Sequence, residues 1–369
     1  MATLTSFKEP SINTSVSSSP RQSVGQQPAY PPLRQAGLVY ADDCRPGYTR
    51  RRTRSGKFRY LDTRGKPIAD TQVIDRINAL AIPPAYTDVW ICPAENGHLQ
   101  ATGRDARGRK QYRYHPDWTA VRDASKYDQL VDFATRLPRI RRRIARDMQL
   151  QALSQDKVLA VLVRLLEITL IRIGTREYAR ANNSYGLTTL KRRHTAVAGG
   201  RLRLRFIGKS GVAHDVTVND ARIARTVKRC MDLPGQQLFH YRDDAGDTRP
   251  VDSDMVNTYL KTAGGGGFTA KHYRTWAGSV MAFVLLQGLP AADEAQARRT
   301  LVQVVKQVAQ RLSNTPAVCR NCYIHPAILE AYLRGALPAR QAVAATPRGL
   351  NADERRLWQF LRSYRPTQA

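Results

Sequence analysis

The sequence predicts an α+β protein: a small antiparallel β domain at residues 38–118, then a larger, mainly helical domain at residues 119–369 that contains a β-hairpin. Three observations support this prediction. Short alternating runs separated by turn residues occupy the first region, helical periodicity dominates the second, and one alternating segment interrupts the helices. With 369 residues, 42 % of them hydrophobic, the chain can form two cores.

Residues 1–37 differ from both domains in composition. They are rich in Ser, Pro and Gln and lack the apolar segment of a secretory signal. We therefore expect a disordered tail. An organelle transit peptide is the less favoured alternative, because Glu9 is present and arginines are sparse.

The predicted β domain is built from short runs of β-forming residues. These are FRYLD, followed by the turn TRGKP, then DVWIC, and then HLQATGRDARGRKQYRYH. Strands of this length joined by Gly- and Pro-containing turns are typical of a mostly antiparallel sheet.

The predicted helical domain begins with KYDQLVDFATRL, PRIRRRIARDMQL and DKVLAVLVRLLEITLIRIG, whose apolar residues recur every three or four positions. HTAV and RLRLRF then alternate around the turn AGG, which predicts a hairpin with Arg201, Arg203 and Arg205 on one face. Helical patterns resume afterwards. Glycines 264–267 are expected to form a flexible joint between two helices, and they lack the Gly-Lys-Ser/Thr of a phosphate-binding loop.

The charge of the chain indicates a polyanionic partner. Lys and Arg number 59 against 30 Asp and Glu, which gives a formal net charge of +29 and a pI near 10.5. No apolar run approaches the roughly 18–20 residues that span a bilayer. Nucleic acid is therefore favoured over an anionic membrane.

The stretch NTPAVCRNCYIHP, residues 314–326, places Cys319, Cys322 and His325 close together. A structural zinc needs four ligands, and the other cysteines and histidines are scattered. A redox pair would normally open a helix after a βα unit, which this context does not suggest. We interpret the two cysteines as small core residues. The odd total of five cysteines argues against full disulfide pairing and favours a reducing compartment.

Other segments carry basic residues in positions suited to phosphate chemistry. Arg172 ends the apolar helix in IRIG, Lys209 lies at a strand end in RFIGKSG, and TAKHYRT places Lys271 and Arg274 on the first turn of a helix. Each has an ordinary explanation when taken alone: a helix-end cation, a turn lysine, or a phosphate contact.

Taken together and in this order, these segments and NTPAVCRNCYIHP resemble the catalytic motifs of the type IB DNA topoisomerases, especially the compact poxvirus and bacterial members. The resemblance runs from about Leu38 to the C-terminus. It implies the catalytic fold shared by tyrosine recombinases and topoisomerase IB, in a C-shaped clamp around double-stranded DNA. It also implies relaxation of supercoiled DNA through a 3′-phosphotyrosyl intermediate, without ATP, metal or another cofactor.

The resemblance assigns roles to the matching residues. Tyr323 is the nucleophile, Arg172 and Arg274 bind the nonbridging phosphate oxygens, and Lys209 is the general acid, with Lys271 as its helper. Asn314 stands where poxvirus and eukaryotic members have histidine, so we expect it to donate a hydrogen bond and not to transfer a proton.

The resemblance also implies DNA contacts in both domains. GRDARGRKQYRYH resembles the family's DNA-contacting motif, with Gln111 able to reach a base edge. The basic run RIRRRIAR is either a second DNA-contacting surface or a solvated face. We expect a monomer without an obligate protein partner, located in the cytoplasm and associated with the nucleoid if bacterial. The predicted DNA contacts are Arg109, Lys110, Gln111, Tyr112, Tyr114 and Tyr178.

Two alternatives remain at this point. A tyrosine recombinase shares the catalytic fold but typically has H-x-x-R where this chain has Lys271-x-x-Arg274, and its N-terminal domain is usually helical. A non-enzymatic DNA-binding protein would need none of Tyr323, Lys209 and Asn314 together.

Overall fold

The computed structural model describes Leu33 and residues 36–289, 291–341 and 347–364, without the side chains of residues 120–126 and 128. It divides into two compact units, the first ending at Trp118 and the second beginning at Thr119. Of the predicted tail, only Leu33, Ala36 and Gly37 lie within the described residues. Leu33 is buried, and its carbonyl accepts a hydrogen bond from the Leu38 amide.

The first unit is an antiparallel β-sheet of five strands, as the sequence predicts. The strand order is β2-β1-β3-β4-β5, with antiparallel pairing between all neighbours. The strands are β1 (Tyr48–Arg52), β2 (Phe58–Leu61), β3 (Thr87–Ile91), β4 (Leu99–Arg104) and β5 (Lys110–Tyr114).

One helix, α1 (Thr71–Ala79), accompanies this sheet, and the sequence patterns did not predict it. It begins at Asp70, whose carboxylate accepts hydrogen bonds from the amides of Gln72 and Val73, as N-cap residues do. Ile77 packs from the helix into a small core with Val89 and Ile91 of β3. Because the helix is short and only Ile77 is fully buried, its apolar pattern in the sequence is weak.

The second unit is mainly helical, and its helices surround one long apolar core. None of the described helices is long and apolar enough to cross a membrane. The helices are α2 (Pro116–Asp147), α3 (Gln155–Thr169), α4 (Arg176–Asn182), α5 (Ala221–Met231), α6 (Ser253–Gly264), α7 (Ala270–Gln287), α8 (Glu294–Arg311), α9 (Pro316–Cys322), α10 (Pro326–Leu333) and α11 (Ala352–Ser363).

Helix α3 lies at the centre of this core. An unbroken run of its residues, 157–163, is buried, which explains why the sequence is apolar on nearly every face of this helix. The helix ends at Leu170, which adopts a left-handed backbone conformation with φ of 58°. That conformation stops the helix and directs the next residues into a loop.

The predicted hairpin is present, and a third strand extends it. The sheet order is β6-β7-β8, all antiparallel, and the exposed arginines of β7 alternate with buried Leu202 and Leu204. A separate pair, β9 with β10, was also not predicted. The strands are β6 (Thr195–Ala198), β7 (Arg201–Ile207), β8 (Ala213–Asn219), β9 (His240–Arg242) and β10 (Thr248–Pro250).

The glycine segment 264–267 joins α6 to α7, at the place where the sequence predicts a joint. Gly264 is the last residue of α6, and Gly265 caps the helix in the left-handed conformation with φ of 71°. Phe268 then enters the core at 2 % exposure. The connection is therefore anchored directly before the first turn of α7.

Candidate active site

The turn between α8 and α9 forms the centre of the candidate site. Leu312 ends α8, Ser313 has a positive φ of 50°, and Asn314 precedes the next helix. Thr315 then caps α9 through a hydrogen bond from the Val318 amide to its hydroxyl, and proline occupies the first helical position. This turn presents the carbonyls of Leu312 and Ser313 and the amide side chain of Asn314.

Arg172 reaches this turn from the loop after α3. Its Nη1 donates to the carbonyl of Ser313 at 3.2 Å, and its Nη2 donates to Oδ1 of Asn314. The loop backbone is held by the Leu187 amide, which donates to the Arg172 carbonyl at 2.9 Å. A Cβ on Gly186 would lie 2.5 Å from that carbonyl, so this close approach requires glycine.

Arg274 reaches the same turn from the first turns of α7. It is only 4 % exposed. Its Nη1 donates to the carbonyl of Leu170, and its Nη2 donates to the carbonyl of Leu312 at 2.6 Å. The amide nitrogen of Asn314 donates to that same Leu312 carbonyl at 3.1 Å. Two arginines are thus bound to the three consecutive residues 312–314, the last of which is Asn314.

Tyr323 lies directly beside this cluster. The Cζ atom of Arg274 is 5.0 Å from the centre of the Tyr323 ring, in cation–π geometry. The main chain of Tyr323 is held by Ser279 of α7, whose hydroxyl lies 3.5 Å from the Tyr323 carbonyl and accepts from the His325 amide at 3.0 Å. Helix α7 therefore carries Arg274 and also supports the tyrosine segment.

The cluster concentrates positive charge in a partly buried place. Burial lowers the pKa of Arg274, the neighbouring charge of Arg172 lowers it further, and Tyr323 acts in the opposite direction. A guanidinium nevertheless stays charged at neutral pH. The Nε of Arg274 is buried and has no hydrogen-bond partner among the described residues.

The two predicted lysines come from the turn between β7 and β8 and from the first turn of α7. Lys209 is exposed in the tight turn between β7 and β8, where the Gly208 amide donates to the Val212 carbonyl at 2.7 Å. Its Nζ lies 5.1 Å from the centre of the Tyr178 ring. Lys271 is exposed on the first turn of α7. Within the described part of the chain, no hydrogen bond joins either lysine side chain to the arginines, Asn314 or Tyr323.

His214 of β8 is a residue of this site that sequence reasoning missed. Its ring stacks on Phe206, with centroids 4.6 Å apart and 6° between the planes. Burial lowers the pKa of His214, and the charges of Arg172 and Arg274 lower it further, so the imidazole lies within electrostatic reach of both. The alternating pattern after the GKSG turn could have predicted a strand with His214 on its inner face. In the structure that strand, β8, pairs His214 with Phe206.

The predicted DNA contacts in the first unit follow one another along β5 and its preceding turn. Arg109 and Gln111 both bind the carboxylate of Asp105, at 2.6 and 3.0 Å, and Arg109 lowers the Asp105 pKa to about 2. Lys110 pairs with Asp43 at 2.5 Å. Tyr112 and Tyr114 are 50 % and 37 % exposed, and their rings stack 6.1 Å apart.

The cysteines beside Tyr323 have different surroundings from one another. Cys319 is fully buried in the core, and burial raises its pKa to about 11, whereas Cys322 is half-buried. His325 caps α10 by accepting from the Ala327 amide. Among the described residues, three possible metal ligands lie close together only at Asp42, Asp43 and Cys44 in the first unit. The side chains of Cys319, Cys322 and His325 therefore do not form a metal-binding group.

Comparison with known families decides the classification. Residues 115–344, more than half of the chain, match the family model described as the catalytic core of eukaryotic DNA topoisomerase I. The chain belongs to the type IB DNA topoisomerases. Residues 57–105 also match the N-terminal domain of bacterial DNA topoisomerase IB. Both units of this topoisomerase thus have counterparts in the family.

Viral relatives of this topoisomerase agree with the family match. DNA topoisomerase 1B of Acanthamoeba polyphaga mimivirus is 31 % identical over 290 residues, which cover 76 % of this chain and 86 % of the relative. DNA topoisomerase 1B of Vaccinia virus (strain Copenhagen) is 23 % identical over 268 residues, 71 % of this chain and 82 % of the relative. The family match favours a topoisomerase that acts on DNA over the recombinase and the non-enzymatic alternatives.

Proposed function

We propose that this topoisomerase relaxes DNA by attack of the Tyr323 hydroxyl on a backbone phosphate, with Arg172, Arg274 and Asn314 stabilising the transition state. The observation that carries the proposal is the convergence of these three residues on the turn Leu312–Asn314, beside the Tyr323 ring. The new bond joins the tyrosine oxygen to phosphorus as the bond to the 5′ oxygen breaks. Religation reverses both changes and needs no ATP, since the ester retains the bond energy.

The arginines supply the electrostatic part of this mechanism. Negative charge grows on the nonbridging phosphate oxygens in a pentacoordinate transition state, and guanidiniums bind such oxygens through several donors. A phenol is mostly protonated at neutral pH, so the positive charge of Arg274 beside the ring favours attack. Each guanidinium is positioned in advance by main-chain carbonyls, which reduces the reorganisation required when DNA binds.

Lys209 is the proposed general acid, with Lys271 as its helper. A 5′ alkoxide is a poor leaving group, so the departing oxygen needs a proton as the bond breaks. The ammonium of Lys209 can supply it, and the proton returns when the strand is rejoined. The ammonium lies over the Tyr178 ring, which limits its freedom to move before DNA binds. Tyr178 itself is proposed to contact the DNA beside the cut.

Asn314 is proposed to donate a hydrogen bond to a phosphate oxygen. Its Oδ1 already accepts from Arg172, so the amide orientation that leaves the nitrogen as donor is set by the protein. The side-chain nitrogen, now bound to the Leu312 carbonyl, carries a second hydrogen for the substrate. An amide does not titrate near pH 7, so it takes no part in proton transfer.

The first unit is proposed to bind the duplex through β5. Gln111 can read a base edge, while Arg109, Lys110 and the two exposed tyrosines bind the backbone. Arg109 and Lys110 are paired with Asp105 and Asp43, so DNA phosphates would have to replace these carboxylates as their partners. We also propose a monomer that works in the cytoplasm without an obligate protein partner, with a nucleoid location if the source is bacterial.

The test is relaxation of a supercoiled plasmid in EDTA without ATP. We expect a ladder of relaxed topoisomers, and a covalent protein–DNA adduct on denaturing gels, both absent with Tyr323→Phe. Arg172→Ala and Arg274→Ala should each lower the cleavage rate by about 10²–10³-fold. Relaxation that depends on Mg²⁺ or ATP, or relaxation by Tyr323→Phe, would contradict the mechanism. A recombinase would instead exchange two specific sites.

A further inference from the structure

We propose that His214 is a positioning residue for the topoisomerase reaction: it supports the turn that carries Lys209, so that Lys209 can protonate the departing 5′ oxygen. The proposal rests on the general-acid role proposed for Lys209. Three independent contacts of the hairpin support it.

The first contact anchors the imidazole to the core. His214 and Phe206 are direct cross-strand neighbours on β8 and β7, and their rings lie nearly parallel at 4.6 Å. Phe206 is 6 % exposed and belongs to the main hydrophobic core. The position of the imidazole is therefore determined by a side chain that has little freedom to move.

The second contact joins the imidazole to the residue before Lys209. A Cβ built on Gly208 would lie 2.6 Å from Nε2 and 2.7 Å from Cδ2 of His214. The ring therefore covers the face of Gly208 that a side chain would otherwise occupy. Any other amino acid at position 208 would have to displace the imidazole, the turn, or both.

The third contact holds Lys209 from the other side. Its ammonium lies over the ring of Tyr178 on α4, and the backbone of the turn is closed by the Gly208–Val212 hydrogen bond. The residue before Lys209 thus packs against His214, while the Lys209 ammonium packs against Tyr178. Without the imidazole, the turn would lose its packing contact with Phe206 and the hydrophobic core.

The charges around His214 agree with a supporting role. Arg172 in the loop after α3 and Arg274 on α7 both act on it, and together with burial they lower its pKa. The neutral imidazole can remain close to the two arginines, where an imidazolium would be repelled.

The test compares two DNA substrates that differ only in the leaving atom. In the first, the scissile phosphate carries its ordinary 5′ oxygen; in the second, a bridging 5′ sulfur replaces it. A thiolate leaves without protonation, so the sulfur substrate removes the need for a general acid. Single-turnover cleavage is measured under saturating enzyme, together with DNA affinity.

For His214→Ala, we expect cleavage of the oxygen substrate to slow by about 10–100-fold, as misplacement of a catalytic group does. Cleavage of the sulfur substrate should return to within about threefold of the parent enzyme, and DNA affinity should be unchanged. Gly208→Ala disturbs the same contact from the opposite side and should show the same pattern. It provides a second test if His214→Ala folds poorly.

Three controls make the outcome specific. His214→Phe keeps a flat ring over Gly208 and should cleave the oxygen substrate at nearly the parent rate. Thr217→Ala, an exposed position on the same strand, should leave both rates unchanged. Arg172→Ala should be slow on both substrates, because sulfur does not replace a phosphate-binding group.

Lys209→Ala separates the two proposals. If Lys209→Ala is not restored by sulfur, the general-acid role of Lys209 fails. If Lys209→Ala is restored but His214→Ala stays slow on the sulfur substrate, the positioning role of His214 is overturned and the general-acid role stands. A His214→Ala enzyme with the parent rate on the oxygen substrate overturns it as well, and so does a His214→Phe enzyme as slow as His214→Ala.

Discussion

A single glycine on α7 determines how closely the tyrosine segment approaches the helix that carries Arg274. Gly278 is buried, and a Cβ at this position would lie 2.5 Å from the Tyr323 carbonyl oxygen and 3.1 Å from a methyl group of Leu312. Both neighbours belong to the candidate site. A methyl group at position 278 would therefore push on the tyrosine and on the turn that binds the two arginines.

Gly278→Ala is expected to lower stability and activity together. Overpacking of this kind costs about 1–3 kcal/mol, which exceeds the gain of about 0.5–1 kcal/mol that alanine brings to a helix interior. We expect the cleavage rate to fall about tenfold or more, since small displacements of Tyr323, the proposed nucleophile, are costly. Urea unfolding and single-turnover cleavage measure the two effects.

Gly288→Ala is the matched control. Gly288 caps the same helix with an ordinary negative φ, and a Cβ added there would lie 3.7 Å from the nearest atom, the Leu285 carbonyl oxygen. Stability should change by no more than about 0.5 kcal/mol. Equal behaviour of the two alanine variants would show that the contact at Gly278 does not constrain the site.

Local sequence patterns predict the side chains of the candidate site, but they do not predict the main-chain carbonyls that bind those side chains. Arg172, Arg274, Asn314 and Tyr323 each lie in a short segment with a recognisable pattern, and the structure brings them together. The Leu312 carbonyl that binds two of them has no sequence pattern, because every residue has a carbonyl group.

At the scale of elements, the length of the buried apolar face separates the helices and strands that the sequence predicts from those that it does not. Helix α3 and strand β7 bury long periodic faces, so their patterns are strong. Helix α1 fully buries only Ile77, and β9 and β10 have three residues each. Such short elements are stabilised by their tertiary neighbours, and hydrophobic periodicity does not detect them.

An ion-pair network connects three helices of the second unit. Arg141 of α2 binds Glu167 of α3 and Glu354 of α11, both at 2.7 Å. Burial alone would raise the pKa of Glu354, but the pairing with Arg141 and the Asn351 amide outweighs burial and lowers it. Trp276 of α7 donates to the same carboxylate at 3.3 Å. The network therefore reaches the helix that carries Arg274.

Glu354→Ala is expected to lower the free energy of unfolding by about 1.5–3 kcal/mol, because the partly buried Arg141 loses one of its two carboxylate partners. Glu294→Ala is the control, since Glu294 pairs with Arg298 on the surface, where both side chains are largely exposed. That pair should contribute no more than about 1 kcal/mol. Chemical denaturation of both variants measures the difference, and similar losses would contradict the buried network.

At the scale of the whole molecule, buried and half-buried histidines couple stability to pH. Burial lowers the pKa of His98, His194, His214 and His240 in the folded state. An unfolded histidine has a pKa near 6.5. Between these values the unfolded chain binds more protons than the folded chain, so stability rises with pH in this range.

We therefore expect the free energy of unfolding to decrease as the pH falls from about 7.5 through about 6.5 toward 5.5. The carboxylates with lowered pKa values stay ionised over this range and do not cause the loss. Thermal unfolding at several pH values measures it, and His214→Phe should reduce the slope. A stability that increased toward pH 5.5 would contradict this assignment.

The net charge of +29 strengthens DNA binding as a property of the whole molecule. Each phosphate that the protein neutralises releases counterions, so affinity falls steeply with salt. For about 6–10 phosphate contacts, affinity should drop by about 10³–10⁵ between 50 and 200 mM salt. Fluorescence titration of a labelled duplex measures this slope. Affinity independent of salt would exclude an electrostatic interface.

The attachment of Tyr323 to Ser279 has a mechanical consequence. In the proposed mechanism a broken strand is joined to this tyrosine, and the twist stored in the DNA then pulls on the protein through one side chain. Its main chain is bound to the Ser279 hydroxyl, on the same helix as Arg274 and little more than one turn away. The part of the protein that resists the pull is therefore also the part that is proposed to align the phosphate for resealing. Torque in the DNA would reach the resealing geometry along a path of only a few residues.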